Sequence, residues 1–411
     1  MVETALAWDC DLAIVGGGIV GATLAAALKD SGLRITIIEA QSPTALAQRQ
    51  RAYALSLRSQ EIFTQLGLWS QMLPQIAAFQ NIRLSDADYG RTVAFEQGDL
   101  DRPALGYVGE HRVLVETLQG DLAQSTTAQL SPLVDWQYNT TVIATTPRGD
   151  HTELVLESEG TRQTLKTRLV VGADGARSPL RQQAGIKTKG WKYWQSCVTF
   201  TIRHQNPDNN TAYERFWYDG PMGVLPLPGN RCQIVWTAPH AQAQALLALD
   251  EATFIERFQA RTQGLFTGLE LMGDRLAFPV QLMQSDRYVQ ARLALIGDAA
   301  HCCHPVGGQG LNLGIRDAAA LAEILHNAQS AGEDIGDLAV LRRYERWRRG
   351  ENSVILAFTD FLNRCFSNRF WPLVMIRRLG LWGLFLLRPL RLLALRLMTG
   401  LLGRTPRFKV G

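Results

Sequence analysis

The stretch that most constrains this chain runs from Leu293 to Asp317, LALIGDAAHCCHPVGGQGLNLGIRD. Leu293, Ala294, Leu295 and Ile296 have the character of a buried strand, which stops at Gly297 with an acid, Asp298, on the turn. Pro305, Gly307, Gly308 and Gly310 follow in a loop with little side-chain bulk, and a helical pattern begins near Gly310 and carries on through Ala320. Such a loop lets backbone N–H groups touch a ligand directly, and the helix behind it adds the positive end of its dipole. The arrangement suits a flat, electron-rich group, with Asp298 placed to hold a hydroxyl.

A second glycine-rich turn lies near the start. Cys10 to Val15 reads as a buried strand leading into Gly16-Gly17-Gly18-Ile19-Val20-Gly21 and an alanine-rich helix from Ala22 to Lys29. A further strand, Arg34 to Ile38, ends in Glu39, 18 residues past Gly21. Gly16 permits the tight turn, Gly18 lets the backbone reach a pyrophosphate, Gly21 lets helix and strand approach, and Glu39 is placed for ribose hydroxyls. With strand, glycines, helix and acid all in position, the unit is expected to bind a dinucleotide. The motif does not separate FAD from NAD.

Between these turns the signals are weaker. In Arg49 to Ser56 (RQRAYALS) the arginines are placed to reach a phosphate or a flavin edge, the alternative being a solvated loop. Gly106 to Leu118 reads as a turn and an amphipathic helix, with His111 and Arg112 at its start, where a histidine is more often a cap or surface residue than a catalyst. Thr141 to Glu157 alternates like a hairpin turning near Arg148-Gly149-Asp150. Leu169 to Val171 runs into Gly172-Ala173-Asp174-Gly175-Ala176-Arg177-Ser178, with Arg181 one helical turn on. This is a second strand-end acid beside glycine, or else an Asp-capped type I turn. From Gly190 to Phe278 aromatics are dense (Trp191, Tyr193, Trp194, Phe200, Trp236), and Ser196 to Ile202 and Arg231 to Thr237 alternate like antiparallel strands. A sheet with an aromatic face would suit an apolar or aromatic ligand and shut out water, although core packing accounts for any single aromatic. Ala243 to Thr262 reads as helical.

Taken in order, GxGxxG, then GADGxxSxxR, then GDAAHxxHPxxGQGxNLGxxD resemble the class A flavoprotein monooxygenases, and most of all the ubiquinone-biosynthesis hydroxylases, which act on polyprenylated phenols. The likeness covers about residues 9 to 350. It implies an α/β chain of the para-hydroxybenzoate hydroxylase fold. A Rossmann-like FAD-binding domain is expected from 1–80, 104–185 and 280–350, an inserted antiparallel β-sheet substrate domain from 81–103 and 186–279, and a helical, basic amphipathic tail from 351–411. The resemblance assigns Gly16, Gly18, Gly21 and Glu39 to the ADP half of a non-covalent FAD, and Arg51 to the isoalloxazine and pyrophosphate. It gives Asp174 and Gly175 to FAD and the pyridine nucleotide, Asp298 to the ribityl chain or ribose, and Gly308, Gln309, Gly310, Leu311 and Asn312 to the loop along the flavin ring. NAD(P)H would dock transiently as electron donor, and one atom of O2 would pass to an electron-rich aromatic ring. Three positions depart from the pattern: Gly307 where alanine is common, which would loosen the loop, His111 where asparagine is frequent, and the pair Cys302-Cys303. No catalytic base is assigned. His301 and His304 are expected to be structural or near the flavin, and a metal site is not expected, because adjacent residues cannot converge on one ion.

Composition places this scaffold in a cell. Hydrophobic residues make up 46% and charged residues 19%, as in a folded globular chain. Six cysteines without regular spacing point to a reducing compartment, and Met1 to Asp9 lacks a signal-peptide pattern. The net charge is only +4, but Phe361 to Gly411 holds ten Lys/Arg and no Asp or Glu. Apolar runs there stop short of the roughly 18 residues needed to span a bilayer. On a helix, Arg377, Arg378, Arg388, Arg391 and Arg396 would fall within about 140° of arc, with Leu and Trp opposite and a break at Pro389. The expected partner is a membrane surface, giving a cytoplasmic, peripheral location. The alternative is a tail packed on the flavin domain, on a second copy or in a membrane complex; a nucleic-acid partner is not expected. Two rival activities share the fold: a flavin reductase or dehydrogenase of isoprenoids or quinones, separated by whether O2 is consumed and a hydroxyl gained, and a non-catalytic assembly subunit, whose flavin NAD(P)H would not reduce.

Overall fold

The computed structural model describes residues 8–86, 92–127 and 133–407. The expectation for the opening residues falls mostly on Met1–Ala7, outside that set. Among the described residues the chain forms two eight-stranded sheets and one of three strands.

The first sheet has Cys10–Val15 at its centre, with Ile35–Ile38 on one side and Thr161–Gly172 on the other. Val134–Gln137 and Leu293–Leu295 flank these, and all four pairings are parallel. Cys10–Val15 (CDLAIV) and Ile35–Ile38 (ITII) are near-continuous apolar runs because both faces of a parallel sheet are covered. Helices Ile19–Leu28 and Gln309–Ser330 pack together there, burying Leu24, Leu28, Leu321 and Leu325. Parallel order also sets the strand ends carrying Gly16, Glu39, Ala173 and Ile296 along one edge of the sheet, where ligands of open α/β sheets sit. The hairpin expected around Gly149 is present as Thr140–Pro147 and Thr152–Ser158.

The second sheet runs, in order, His301–Cys302, Glu270–Ser285, Thr188–Arg203, Arg231–Pro239, Met222–Leu227, Thr211–Phe216, Asn81–Asp86 and Thr92–Glu96. Its alternation sorts side chains by face. Val198, Phe200, Ile202, Ile234 and Trp236 point to one side and pack with Phe254 and Phe258 of the helix Glu251–Thr262. The aromatics therefore divide: Phe200 and Trp236 form a core on the face away from the glycine-rich turns, Phe216 packs on the other face with Val306, and Trp191 and Trp194 are exposed. The 243–262 stretch is two helices, His240–Ala248 and Glu251–Thr262, because Asp250 caps the second by accepting from Thr253 N–H at 2.9 Å.

The helix Leu338–Phe366 runs for 29 residues and carries Arg342 to Arg349 in its first half. Helices Trp371–Leu386 and Arg388–Met398 follow, parted at Leu387 ahead of Pro389. Arg377 does not face outward with the other arginines. It is buried against Asp86 at 2.8 Å and donates to the carbonyls of Phe366 and Asn368, so it is an internal tie. Arg391 also pairs with an acid, Asp99, at 3.0 Å.

Candidate active site

Three turns meet at the shared strand edge. At the first, Gly16 has φ +105° and lies so close to the second turn that a Cβ would stand 2.4 Å from the Ala173 carbonyl oxygen. Gly21 packs as closely, a Cβ there falling 2.0 Å from Gly16 O. Gly18 is the opposite case: a Cβ there would meet nothing within 4 Å, so the backbone faces open space at the uncapped start of the helix Ile19–Leu28. Glu39 accepts from Gly17 N–H at 2.7 Å and Gln41 N–H at 2.9 Å, which fixes its carboxylate beside that opening.

The second turn carries Asp174. Burial raises its carboxyl above the ordinary range despite hydrogen bonds from Ser178 and the Leu180 N–H. Its Oδ1 is buried without a partner, an acceptor without a donor. The third turn carries Asp298, which is exposed although surrounding protein raises its carboxyl, with His301 and Arg51 acting against the rise. Both hold for a group on the wall of an internal opening. Arg181 locks these two turns together, donating to Ala299 O at 2.7 Å and Ala176 O at 2.8 Å.

Beyond Asp298 the chain is held from behind. Asp317 accepts from Gly297 N–H at 3.1 Å, His301 at 2.5 Å, Arg348 at 2.8 Å and Asn352 at 3.0 Å, all buried. Burial alone would raise this carboxyl, but His301 and Arg348 hold it well below the usual range. His301 is therefore a strut. His304 is buried and lowered to about 3 by burial, accepts from Val306 N–H, and meets Tyr193 edge-on at 5.1 Å. Cys303, raised to about 12 by burial, and Cys302, also raised well above the usual thiol range by burial, stay thiols and fill space rather than act as nucleophiles.

The glycine loop then turns through Gly307 (φ +66°) and Gly308 (φ +61°) into the helix Gln309–Ser330, whose start has no side-chain cap. Gly307 does not loosen this loop. A Cβ there would lie 2.1 Å from Met398 Cε, its N–H donates to Glu214 at 3.1 Å, and Gln309 ties its carbonyl to that of Met398. Asn312 uses its amide inside the protein, accepting from Ser56 N–H and donating to Ala54 O, both at 2.8 Å. It clasps the loop to the strand Ala52–Leu55, leaving backbone N–H groups, not its side chain, to face a ligand. Arg51, just before that strand, is exposed and lies 4.5 Å over the Phe278 ring. His111 is buried, not a surface cap. Its Nε2–H donates to Leu46 O at 2.9 Å, its Nδ1 faces the Tyr53 hydroxyl at 3.4 Å, and burial lowers it to about 4. It supports the segment that carries Arg51.

Every site residue expected from sequence lies on these turns or on the segments packed against them. Sequence reasoning missed Glu214, Arg181 as a bridge, and Met398. Arg181 stood in the second motif, whereas Glu214 and Met398 carry no local pattern.

Residues 9–353 match the family model described as FAD binding domain. The chain belongs to this family of FAD-dependent monooxygenases. The monooxygenase is 37% identical to the ubiquinone hydroxylase UbiL of Rhodospirillum rubrum, over 96% of this chain and 91% of that protein. It is 35% identical to the 3-demethoxyubiquinol 3-hydroxylase of Escherichia coli, over 90% and 93% respectively. Among solved structures, p-nitrophenol 4-monooxygenase PnpA from Pseudomonas putida superposes with a TM-score of 0.78 at 19% identity, covering 96% and 98% of the two chains, which shows the shared fold. FAD is the cofactor of the family, and the site fits it. The open space at Gly18 suits a pyrophosphate, the orphan Oδ1 of Asp174 and the accessible Asp298 suit hydroxyl donors, and two uncapped helix starts suit anionic groups.

Proposed function

We propose that this monooxygenase hydroxylates the aromatic ring of a lipophilic, prenylated phenol or quinol at a membrane surface, with electrons from NAD(P)H. Gly16, Gly18, Gly21 and Glu39 would hold the ADP half of FAD, Asp174 and Gly175 its middle, and Asp298 the ribityl hydroxyls. Arg51 and the backbone from Gly308 to Asn312 would border the ring system. Bound and reduced FAD supplies the chemistry that activates O2. The protein's own part is to orient, to exclude water and to place positive potential beside the ring. The uncapped start of Gln309–Ser330 suits the last task.

The observation that carries the lipophilic reading is a seam. Val306 of the flavin loop, Phe216 and Leu227 of the second sheet, and Leu381 and Leu395 of the last two helices share one apolar cluster. The outer faces of those helices expose Trp371 at 72%, Leu379 at 59% and Leu393 at 55%, with Arg388 and Arg396 exposed nearby. Apolar rings and aliphatics beside arginines, with no acid after Asp360, match an interfacial surface facing anionic headgroups. Among the described residues no helix is long and apolar enough to cross a membrane. The relatives named above are, by their names, a ubiquinone hydroxylase and a 3-demethoxyubiquinol 3-hydroxylase, which supports the substrate class.

The test is turnover of 2-geranylphenol with NAD(P)H under isotopically labelled O2. A product carrying one labelled oxygen supports the reading. Consumption of NAD(P)H with a reduced or dehydrogenated product and no label contradicts it and favours a reductase or dehydrogenase.

A further inference from the structure

The reaction proposed above leaves the proton of the substrate hydroxyl without an acceptor. The histidines of the third motif are committed, His301 to Asp317 and His304 to Val306. Tyr193 donates to Asp360 at 2.6 Å, and Tyr53 faces His111.

Glu214 remains. It lies on the strand Thr211–Phe216, where Ala212 and Phe216 pack into the cluster that contains Val306, so the shared face of these alternate residues turns toward the flavin loop. Gly307 N–H of that loop donates to its Oε2 at 3.1 Å. Among the described residues no lysine, arginine or histidine forms an ion pair with it. The residue is only half-buried, yet its surroundings desolvate the carboxylate, the same signature that marks Asp298 as lining an opening.

Sheet register shows what shares the face. Glu214 stands opposite Gly223, Gly223 opposite Val235, and Val235 opposite Thr199. This row crosses four strands, about 14 Å at ordinary strand spacing. Gly223 leaves the middle low: a Cβ built there would still be 3.8 Å from Glu214 Oε2. At the far end Thr199 Oγ1 is buried without a hydrogen-bond partner. On the same face Cys197 pairs with Phe278, the ring beneath Arg51. A carboxylate and an unpartnered hydroxyl thus flank a bare strip of sheet, with the flavin loop bonded to the carboxylate.

We propose that Glu214 is a catalytic residue that receives the hydroxyl of the aromatic substrate and takes its proton. The phenolic O–H bond breaks, a carboxyl O–H bond forms, and the electron pair stays on the phenol oxygen, enriching the ring for attack on activated oxygen. No electron is gained or lost in this step, and the proton returns to the product oxygen. Burial pushes the Glu214 carboxyl up to about 7, with the Gly307 N–H working the other way, so the group can accept and return a proton near neutrality. The charged or titratable groups on this face among the described residues include Arg51, ahead of the strand Ala52–Leu55, Cys197, a thiol raised to about 12, and two ion pairs farther along the strands, Asp86 with Arg377 and Arg231 with Glu110. A loop clamp alone would need only an acceptor, which glutamine also provides.

The test compares binding of 2-geranylphenol and its methyl ether to the full-length, FAD-loaded protein at pH values on both sides of 7, read by flavin fluorescence. The wild type should prefer the phenol by roughly tenfold, the worth of one hydrogen bond to a charged group. Glu214→Gln keeps an acceptor for Gly307 N–H and should load FAD normally while losing most of that preference. Glu214→Asp, which retains the carboxylate, should recover part of it. Labelled oxygen incorporated per NAD(P)H should fall roughly a hundredfold in Glu214→Gln, within the range for loss of a general base, and its pH profile should flatten around 7. Equal preference in wild type and Glu214→Gln, or none in the wild type, overturns the assignment. A wild type that shows the preference but incorporates no oxygen supports the binding role of Glu214, overturns its catalytic role and contradicts the hydroxylase reading above.

Discussion

Arg181 and Ala299, 118 residues apart in the chain, are joined by a 2.7 Å hydrogen bond from guanidinium to carbonyl. Because the same side chain also donates to Ala176 O at 2.8 Å, the turn bearing Asp174 and the turn bearing Asp298 form one wall. Replacing Arg181 with Met should leave both carbonyls unpaired and cost about 3 kcal/mol, the usual worth of hydrogen bonds to a charged group. Chemical denaturation measures the loss, and FAD titration should show affinity reduced at the same time. Full stability with unchanged FAD affinity would contradict the bridging role.

Asp317 predicts a pH effect. Its carboxyl is held below the ordinary value of 3.8 by His301 and Arg348 against the pull of burial. A depressed carboxyl contributes stability that is full above its unfolded value and lost as pH falls through the folded one. Asp317→Asn should therefore cost about 3 kcal/mol at neutral pH, because the buried Arg348 loses one of its two carboxylate partners and keeps only Glu351. The cost should shrink only as pH drops below about 4, where the unfolded wild type takes up the proton. Denaturation curves at several pH values check this, and a cost that disappears already at pH 6 would contradict it.

The tail separates internal arginines from exposed ones. Arg377→Gln should destabilise the fold by about 3 kcal/mol through the unpaired Asp86 while leaving vesicle binding per folded molecule unchanged. Arg388→Gln with Arg396→Gln should leave stability nearly unchanged but weaken binding to phosphatidylglycerol vesicles, each arginine contributing about 1 kcal/mol. Co-sedimentation reads the difference, and equal binding by all three proteins would contradict the membrane reading. Substitution is the better tool here than truncation, because Gln309 bonds Met398 O and Arg58 bonds Gly400 O, so the tail supports the flavin loop.

How much of this was legible in the sequence depended on how local the signal was. Gly16, Asp174 and Asp298 sit in compact strand–turn–helix patterns, and parallel pairing then brings their strand ends together. The hairpin at Gly149 and the helix after Gly308 were readable for the same reason. Arg377 was misplaced because helical arc cannot reveal an acid 291 residues away. The aromatics from Trp191 to Trp236 could not be sorted, with Phe200 and Trp236 in the far core and Phe216 against the flavin loop, because alternation shows that a strand has two faces without saying which face meets the ligand. Glu214 was passed over because a single acid in an alternating strand has no sequence mark; only its bond to Gly307 N–H, 93 residues on, singles it out.

The central claim is that the three turns hold one flavin, and Asp298 tests it most directly because its side chain is exposed and no donor among the described residues bonds its carboxylate. The measurement is FAD content and affinity of Asp298→Ala, read from visible flavin absorbance after purification and by titration of the apoprotein. The account predicts a folded but essentially colourless protein, with affinity reduced roughly a hundredfold as two charge-assisted hydrogen bonds are lost. A variant as yellow as the wild type, with unchanged affinity, would contradict it.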